Sequence, residues 1–360
     1  IVLFLSAGCD PTSSHTASDA PLTSTASTQT RLAPRERVRT ASADSREKMH
    51  TYSRIMMGMP FTMKIRSDRT AARVRRDAQS AFEMVGIVED KMSEWKPESE
   101  VSRINRFAGA NTVAVSAETY HVITFAKELS AQSNGAFDPT WAAFRGVWQF
   151  KKPPFQIPAP NQIAQAKKRV DYTAITLDPE TKSVGLSRPN MELGLGAIAK
   201  GFAIDSAADA LKTAGYKNFI IDGGGDVYLA GQNEQNNPWR VGIKHPRQTN
   251  GFIGYAAPEN LAIVTSGDYE HHFMVNGKRY HHIIDVRHGY PANASVAVTV
   301  MAPKAMYADA LATAIFILGP KAGLELVKAY ENVKVLVLSP DGAIHGYPKA
   351  FAQSFPNQWK

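Results

Sequence analysis

The chain has 360 residues, of which 44% are hydrophobic and 21% charged, so it carries enough apolar material for a sizeable core and is neither wholly disordered nor fibrous. Its single cysteine, Cys9, excludes an intramolecular disulfide and a cysteine-built structural zinc centre. The net charge of +8 is concentrated between Arg31 and Arg76, but no basic-aromatic RNA motif or DNA-reading motif accompanies it, so the excess reads as a solvated tail and helix face with no nucleic-acid partner.

The chain opens IVLFLSAGCD, an apolar run ending in small residues and a cysteine. This resembles the tail of a bacterial lipoprotein signal with Cys9 as the lipidated residue, although Ser6 stands where a leucine is usual and no basic region precedes it. Asp10 resembles an inner-membrane retention signal. The resemblance implies a membrane partner through a lipid anchor, on the periplasmic face of the inner membrane in the cell envelope. Residues 10 to 50 are rich in Ser, Thr, Ala and Pro with few large apolar side chains, so they read as a flexible tether. The remainder, residues 51 to 360, reads as one folded domain. No apolar run after the start reaches the length that spans a bilayer.

In chain order, MMGMPFTMKI alternates as a strand, and residues 70 to 91 form a helix. MSEWKPESEVSRINRF is a polar turn running into a short helix. Residues 117 to 133 form another helix, stopped by Asn134-Gly135. Residues 151 to 160 are proline-rich loop, and ITLDPETKSVGL is a hairpin. Ile204, Ala207, Ala208, Leu211 and Ala214 share a helix face ahead of a C-capping Gly215. NFII is then a buried strand, DGGGD a tight turn and VYLAG the returning strand. Because these glycines open no helix, the dinucleotide-binding reading of the cluster fails.

From Thr265 to Pro291 the chain reads TSGDYEHHFMVNGKRYHHIIDVRHGYP. Asn276-Gly277 predicts a type I′ hairpin that pairs Val275 with Lys278, Phe273 with Tyr280, His272 with His281 and His271 with His282. One face then carries His271, Phe273, Tyr280, His282 and Ile284, and the other His272, Met274, Arg279 and His281. Three readings stand at this point: merely polar histidines, a cross-strand metal site lacking a third and fourth ligand, or a catalytic His beside a ligand. Residues 302 to 318 predict a buried helix between Pro303 and Gly319-Pro320. Asp309 and Thr313 share a face of it. A buried carboxylate needs a partner: either a basic side chain, or a hard cation such as magnesium with the Thr hydroxyl as a second oxygen ligand.

In order, MGMPF, MSEWKPESEVSRIN, NGAFDPT, GAIAKGFAID, DGGGD, TSGDY, HHIIDVRHGYP and ADALATA make the chain resemble the ApbE family, the FAD:protein FMN transferases, from about Met57 to Tyr347. The resemblance implies an α+β, two-sheet, T-fold-like architecture with flanking helices. It implies Mg²⁺ as cofactor and FAD as substrate. The expected reaction transfers FMN from FAD to a Thr or Ser of an acceptor, typically a subunit of a membrane redox complex, and releases AMP. Some relatives hydrolyse FAD to FMN and AMP instead, and a flavin-binding protein without turnover is the remaining alternative. Residue by residue, the resemblance places Met57, Trp95, Ala136, Phe137, Asp138, Lys200 and Ile284 at the dinucleotide. Trp95 stands where an aromatic residue, often Tyr, is expected. The Ala197 carbonyl, the Asp309 carboxylate and the Thr313 hydroxyl fall at the metal, and His282 at the catalytic base. His271 is a candidate to orient His282. There are two departures. Gly194 stands where the family commonly has Asp, six residues before Lys200, with Glu192 nearby, and Val286 follows the H-x-I-D segment in place of Pro.

Overall fold

The computed structural model describes residues 47–347 and the short strand Val2–Leu3. Cys9 and most of the stretch read as a tether lie outside the described residues. Lys48–His50, placed in the tether by composition, pair with Ile65–Ser67 at the start of the first strand of the main sheet.

That sheet has eight strands, each antiparallel to the next and adjacent in chain order: β1 (Lys48–Met56), β2 (Met59–Ser67), β3 (Asn218–Gly223), β4 (Asp226–Ala230), β5 (Leu261–Gly267), β6 (Ala297–Ala302), β7 (Lys334–Leu338) and β8 (Ile344–Gly346). Two-residue turns close β1–β2 at Met57 (φ 51°) and Gly58 (φ 76°), and β3–β4 at Gly224 (φ 64°) and Gly225 (φ 97°). Both have the two positive φ angles of a type I′ turn. The first hairpin escapes a reading of sequence because Met57, a residue that rarely adopts positive φ, holds the position where Asn or Asp is expected. MMGMPFTMKI is therefore a turn and two strands instead of one strand.

Both faces of the sheet are covered. Phe61, Met63, Ile65, Phe219, Ile221, Val264, Val298, Val300, Val335 and Val337 face the helices. Ile220, Leu229, Ile263, Met301 and Leu336 face the other way, against Trp239, Val241, Ile243 and Ile253. Most of the latter residues belong to a small second sheet of Val2–Leu3, Val241–Lys244 and Phe252–Ala256. The architecture is α+β, a sheet core with flanking helices.

The helices are α1 (Ala71–Met92), α2 (Glu100–Arg106), α3 (Ala117–Gln132), α4 (Pro160–Lys167), α5 (Ala199–Thr213) and α6 (Ala305–Val327). Helix α1 forms because Thr70 caps it and Val74, Ala78, Ala81, Phe82, Val85, Val88 and Met92 recur at helical spacing on its buried side. Helix α6 is long and apolar enough to cross a membrane by length and composition alone. Here it is a core helix: Ala308 to Phe316 are buried apart from Thr313, and the helix breaks at Gly319 (φ 78°) where the sequence predicts a stop. Pro320 then starts a further helical stretch, a position where its missing N–H costs nothing.

Helices α5 and α6 meet at their N-terminal ends, in the arrangement that builds the site. A Cβ on Gly201 would lie 2.2 Å from the Ala305 carbonyl oxygen, so only glycine permits the approach. Helix α6 has no side-chain cap of its own. Asp205 of α5 supplies one from outside, accepting from Ala305 N (2.8 Å) and Met306 N (2.9 Å). Burial raises its carboxyl to about 6, so it is ionised at neutral pH, where it also complements the positive end of α6. Asp205→Ala leaves two buried N–H groups without a partner. It should destabilise the protein by ~1–2 kcal/mol, read as a fall in the urea midpoint, and an unchanged midpoint would show that the cap is dispensable.

Candidate active site

Where α5, α6 and the starts and ends of the central strands converge, two carboxylates enclose one ammonium. Lys200, on the first turn of α5, makes an ion pair with Asp226 at the head of β4, and its Nζ lies 3.9 Å from Asp309 Oδ1 on α6. Asp309 Oδ2 accepts from Gly201 N at 2.9 Å. Asp226 Oδ1 accepts from Thr265 N at 3.2 Å, which ties the cluster to β5. Burial pulls the Lys200 ammonium down, but the charges of Asp226 and Asp309 outweigh it and hold the group above its ordinary value. Burial raises the Asp309 carboxyl, helped by Asp226 and opposed by Lys200 and the Gly201 N–H. Thr313 lies one turn further along α6, with its hydroxyl 3.4 Å from Ser266 Oγ on β5.

Asp226 is not among the residues that the sequence singles out, although it closes the DGGGD turn. A signal exists: a charged residue leads directly into the wholly buried strand Asp226–Ala230. Its Oδ2 is buried and faces the Lys200 ammonium. The turn that delivers it is pinned by Asp222 Oδ1, which accepts from Gly225 N at 2.7 Å, and packs against Met59 of the β1–β2 hairpin.

The histidine hairpin has the register expected from its Asn-Gly turn, with Asn276 at φ 49° and Gly277 at φ 75°. Phe273 and Tyr280 stack on each other, Tyr280 stacks on Trp148 with Phe273 tilted against it, and Phe150 and Phe155 stack on Phe273. Ile284 joins the same buried cluster. The opposite face is mixed, with Met274 exposed and His281 buried. His281 is buried against Phe316 of α6, ring centroids 5.4 Å apart. Its Nε2 donates to the Ala292 carbonyl (2.8 Å) and its Nδ1 accepts from Ile283 N (3.3 Å), a pattern that only the neutral ring can make. His282 is exposed, beside His271 with ring centroids 5.4 Å apart, and its backbone N–H donates to the His271 carbonyl at 3.0 Å. Surrounding protein, then the neighbouring His271, then His281 and Lys200, all lower its pKa, so the imidazole is a free base at neutral pH.

The other positions carried from the resemblance sit on other elements. Met57 sits on the β1–β2 turn and donates its N–H to Glu89 of α1 at 3.1 Å. Ala136 and Phe137 are buried. Asp138 is buried too, and its carboxylate accepts from Thr140 N (2.8 Å), Thr140 Oγ1 (2.6 Å) and Tyr172 N (3.2 Å). Trp95 is 69% exposed, with the Arg145 guanidinium 5.0 Å from its ring centroid. Gly194 has a structural reason: Trp141 lies on it. A Cβ there would stand 3.0 Å from three atoms of the indole, whose N–H donates to the Gly194 carbonyl at 2.9 Å. Glu192 does not take the place of the missing Asp but pairs with Arg145 at 3.5 Å.

The chemistry of this donor set fits a magnesium ion. The buried cluster holds two carboxylates against one ammonium, leaving Asp309 undercompensated, and a Thr hydroxyl and the Ala197 carbonyl just ahead of α5 add hard oxygens. Among the described residues no three His, Cys, Asp or Glu side chains gather as they would for zinc.

Residues 57–337 match the ApbE family. A curated FAD:protein FMN transferase of Haemophilus influenzae is 32% identical over 313 residues, 84% of this chain and 90% of the relative. One of Treponema pallidum is 31% identical over 317 residues, 83% and 88% respectively. Among solved structures, the ApbE protein of Thermotoga maritima superposes with a TM-score of 0.76 at 31% identity, covering 84% of this chain and 99% of that one. The flavin transferase ApbE of Vibrio cholerae gives 0.75 at 28% identity, covering 85% and 100%. The family match covers most of the chain and every residue of the site: the chain belongs to the ApbE family.

Proposed function

We propose that this enzyme transfers FMN from FAD to a Thr or Ser hydroxyl of an acceptor protein and releases AMP, the first part of which is the reaction for which its curated relatives are named. The observation that carries the reading is the buried Lys200–Asp226–Asp309 cluster, one ammonium held between two carboxylates, and a second is the free-base imidazole of His282. In the reaction the hydroxyl oxygen bonds to the FMN phosphorus, the pyrophosphate P–O bond breaks, and AMP leaves with the bridging oxygen. A neutral hydroxyl is a weak nucleophile, so His282 takes its proton as the bond forms. Lys200 offsets phosphate charge, and its pairing with Asp226 holds the ammonium in place before substrate arrives. Mg²⁺ held by Asp309, Thr313 and the Ala197 carbonyl would neutralise the pyrophosphate and ease departure of AMP. The sparse, oxygen-only ligand set supports magnesium over zinc.

The acceptor we propose is a subunit of a membrane redox complex. The motif IVLFLSAGCD supports placing the enzyme beside it, anchored through Cys9 on the periplasmic face of the inner membrane. The test is to mix the protein with FAD, magnesium and such a subunit and weigh the subunit by intact mass spectrometry. A gain of one FMN that EDTA abolishes is the expected result. Free FMN and AMP without a mass gain would make the protein an FAD pyrophosphatase, and intact FAD would reduce it to a flavin-binding protein.

A further inference from the structure

Arg145 carries donors that the protein itself does not use. Its Nη1 donates to the Glu94 carbonyl at 3.1 Å. Its Nη2 lies 3.5 Å from Glu192 Oε2, within ion-pair reach but without a hydrogen bond, and its Nε has no partner. Both nitrogens are buried. An unmet buried donor is costly, more so on a charged group, and such a group in a native fold calls for a ligand. Directly over the guanidinium lies Trp95, a large aromatic ring left 69% exposed. A guanidinium with spare donors beneath an exposed indole suits a planar heteroaromatic ring, which would turn Trp95 aside, pack against it and accept from the guanidinium at its edge.

The same region explains the glycine at 194. Where the family pattern has a carboxylate, which can only accept, Trp141 packs on the backbone so closely that a Cβ would make its ring shift. The polar group on offer here is a donor instead.

We propose that Arg145, aligned by Glu192 and the Glu94 carbonyl and roofed by Trp95, is the specificity-determining donor to a ring of the dinucleotide substrate, replacing the carboxylate that Gly194 lacks. This rests on FAD being the substrate. The ring is adenine or isoalloxazine, which share planarity and edge acceptors, and binding of the two halves separately distinguishes them.

The test measures equilibrium binding of FAD, FMN and AMP to the full-length protein in EDTA, with circular dichroism to establish folding. Arg145→Ala should weaken FAD binding ~10- to 100-fold, the scale of hydrogen bonds to a charged group. The same loss should appear with AMP if the ring is adenine, or with FMN if it is isoalloxazine. Arg145→Lys keeps the charge but not the planar fork, and should recover less than half of the lost binding free energy. In turnover, KM for FAD should rise while kcat stays within about twofold, since a uniform binding contact is removed. If Arg145→Ala does not fold, Arg145→Lys carries the test. A folded Arg145 variant that binds all of these ligands as the wild type does overturns the inference alone. A wild type that binds none of them overturns the proposed function with it.

Discussion

Asp309→Ala should lower the rate of FMN transfer by ~10²–10³-fold, the range seen when one preorganised electrostatic contact to a transition state is lost. The fold should survive. Asp309 is buried with its charge only partly compensated, and Lys200 keeps Asp226 as its partner when Asp309 is gone. What the variant loses is the carboxylate proposed to hold the metal. The second readout is therefore independent of turnover. Magnesium at about 100 times its dissociation constant should stabilise the wild type by about 2.7 kcal/mol, seen as a rise in melting temperature, and should do nothing for Asp309→Ala. A variant that still responds to magnesium would move the metal elsewhere, with Asp226 as the next carboxylate to change.

His282→Ala should cost ~10²–10⁴-fold in transfer, the usual contribution of a positioned general base, while FAD affinity in EDTA stays unchanged. The neighbouring histidine makes the control. His281→Ala removes a buried ring that bonds the Ala292 carbonyl and Ile283 N–H and packs on Phe316. It should therefore destabilise the protein by ~1–3 kcal/mol with a smaller effect on the chemical step. The pKa of His282 is lowered below 6.5, so the acid limb of the kcat/KM profile, which reports the free enzyme, should fall below that pH. Full transfer by His282→Ala would remove this residue from the mechanism. An acid limb above pH 6.5 would assign it to another group.

Much of this protein is legible from local pattern, and the limits have physical causes. The hairpin at Asn276-Gly277 is read to the residue because its turn type admits few sequences. The β1–β2 hairpin, with the same turn geometry, is missed because Met57 gives no sign of a positive φ. Asp309 draws notice as a lone charge in an apolar helix, since burial without compensation is costly at any site. Asp226 does not, because a carboxylate after three glycines looks like any turn residue until the strand it opens is seen to be buried. Arg145 is less visible still: one arginine among many, distinguished only by donors left without partners.

The sequence by itself determined most helices and strands of the folded part to within a few residues, the α+β class, the family, and which side chains are chemically able to act. Periodicity, turn chemistry and motif order are local properties, and they survive in a one-dimensional string. The tertiary structure decided what those side chains face. It separated His281, locked neutral in the core, from His282, exposed to solvent, although the two are adjacent and identical in type. It brought Lys200, Asp226 and Asp309 together from α5, β4 and α6, and laid Trp141 over Gly194. Each of these depends on contacts between residues far apart in the chain, where burial, charge and hydrogen bonding are set by partners that no local window contains.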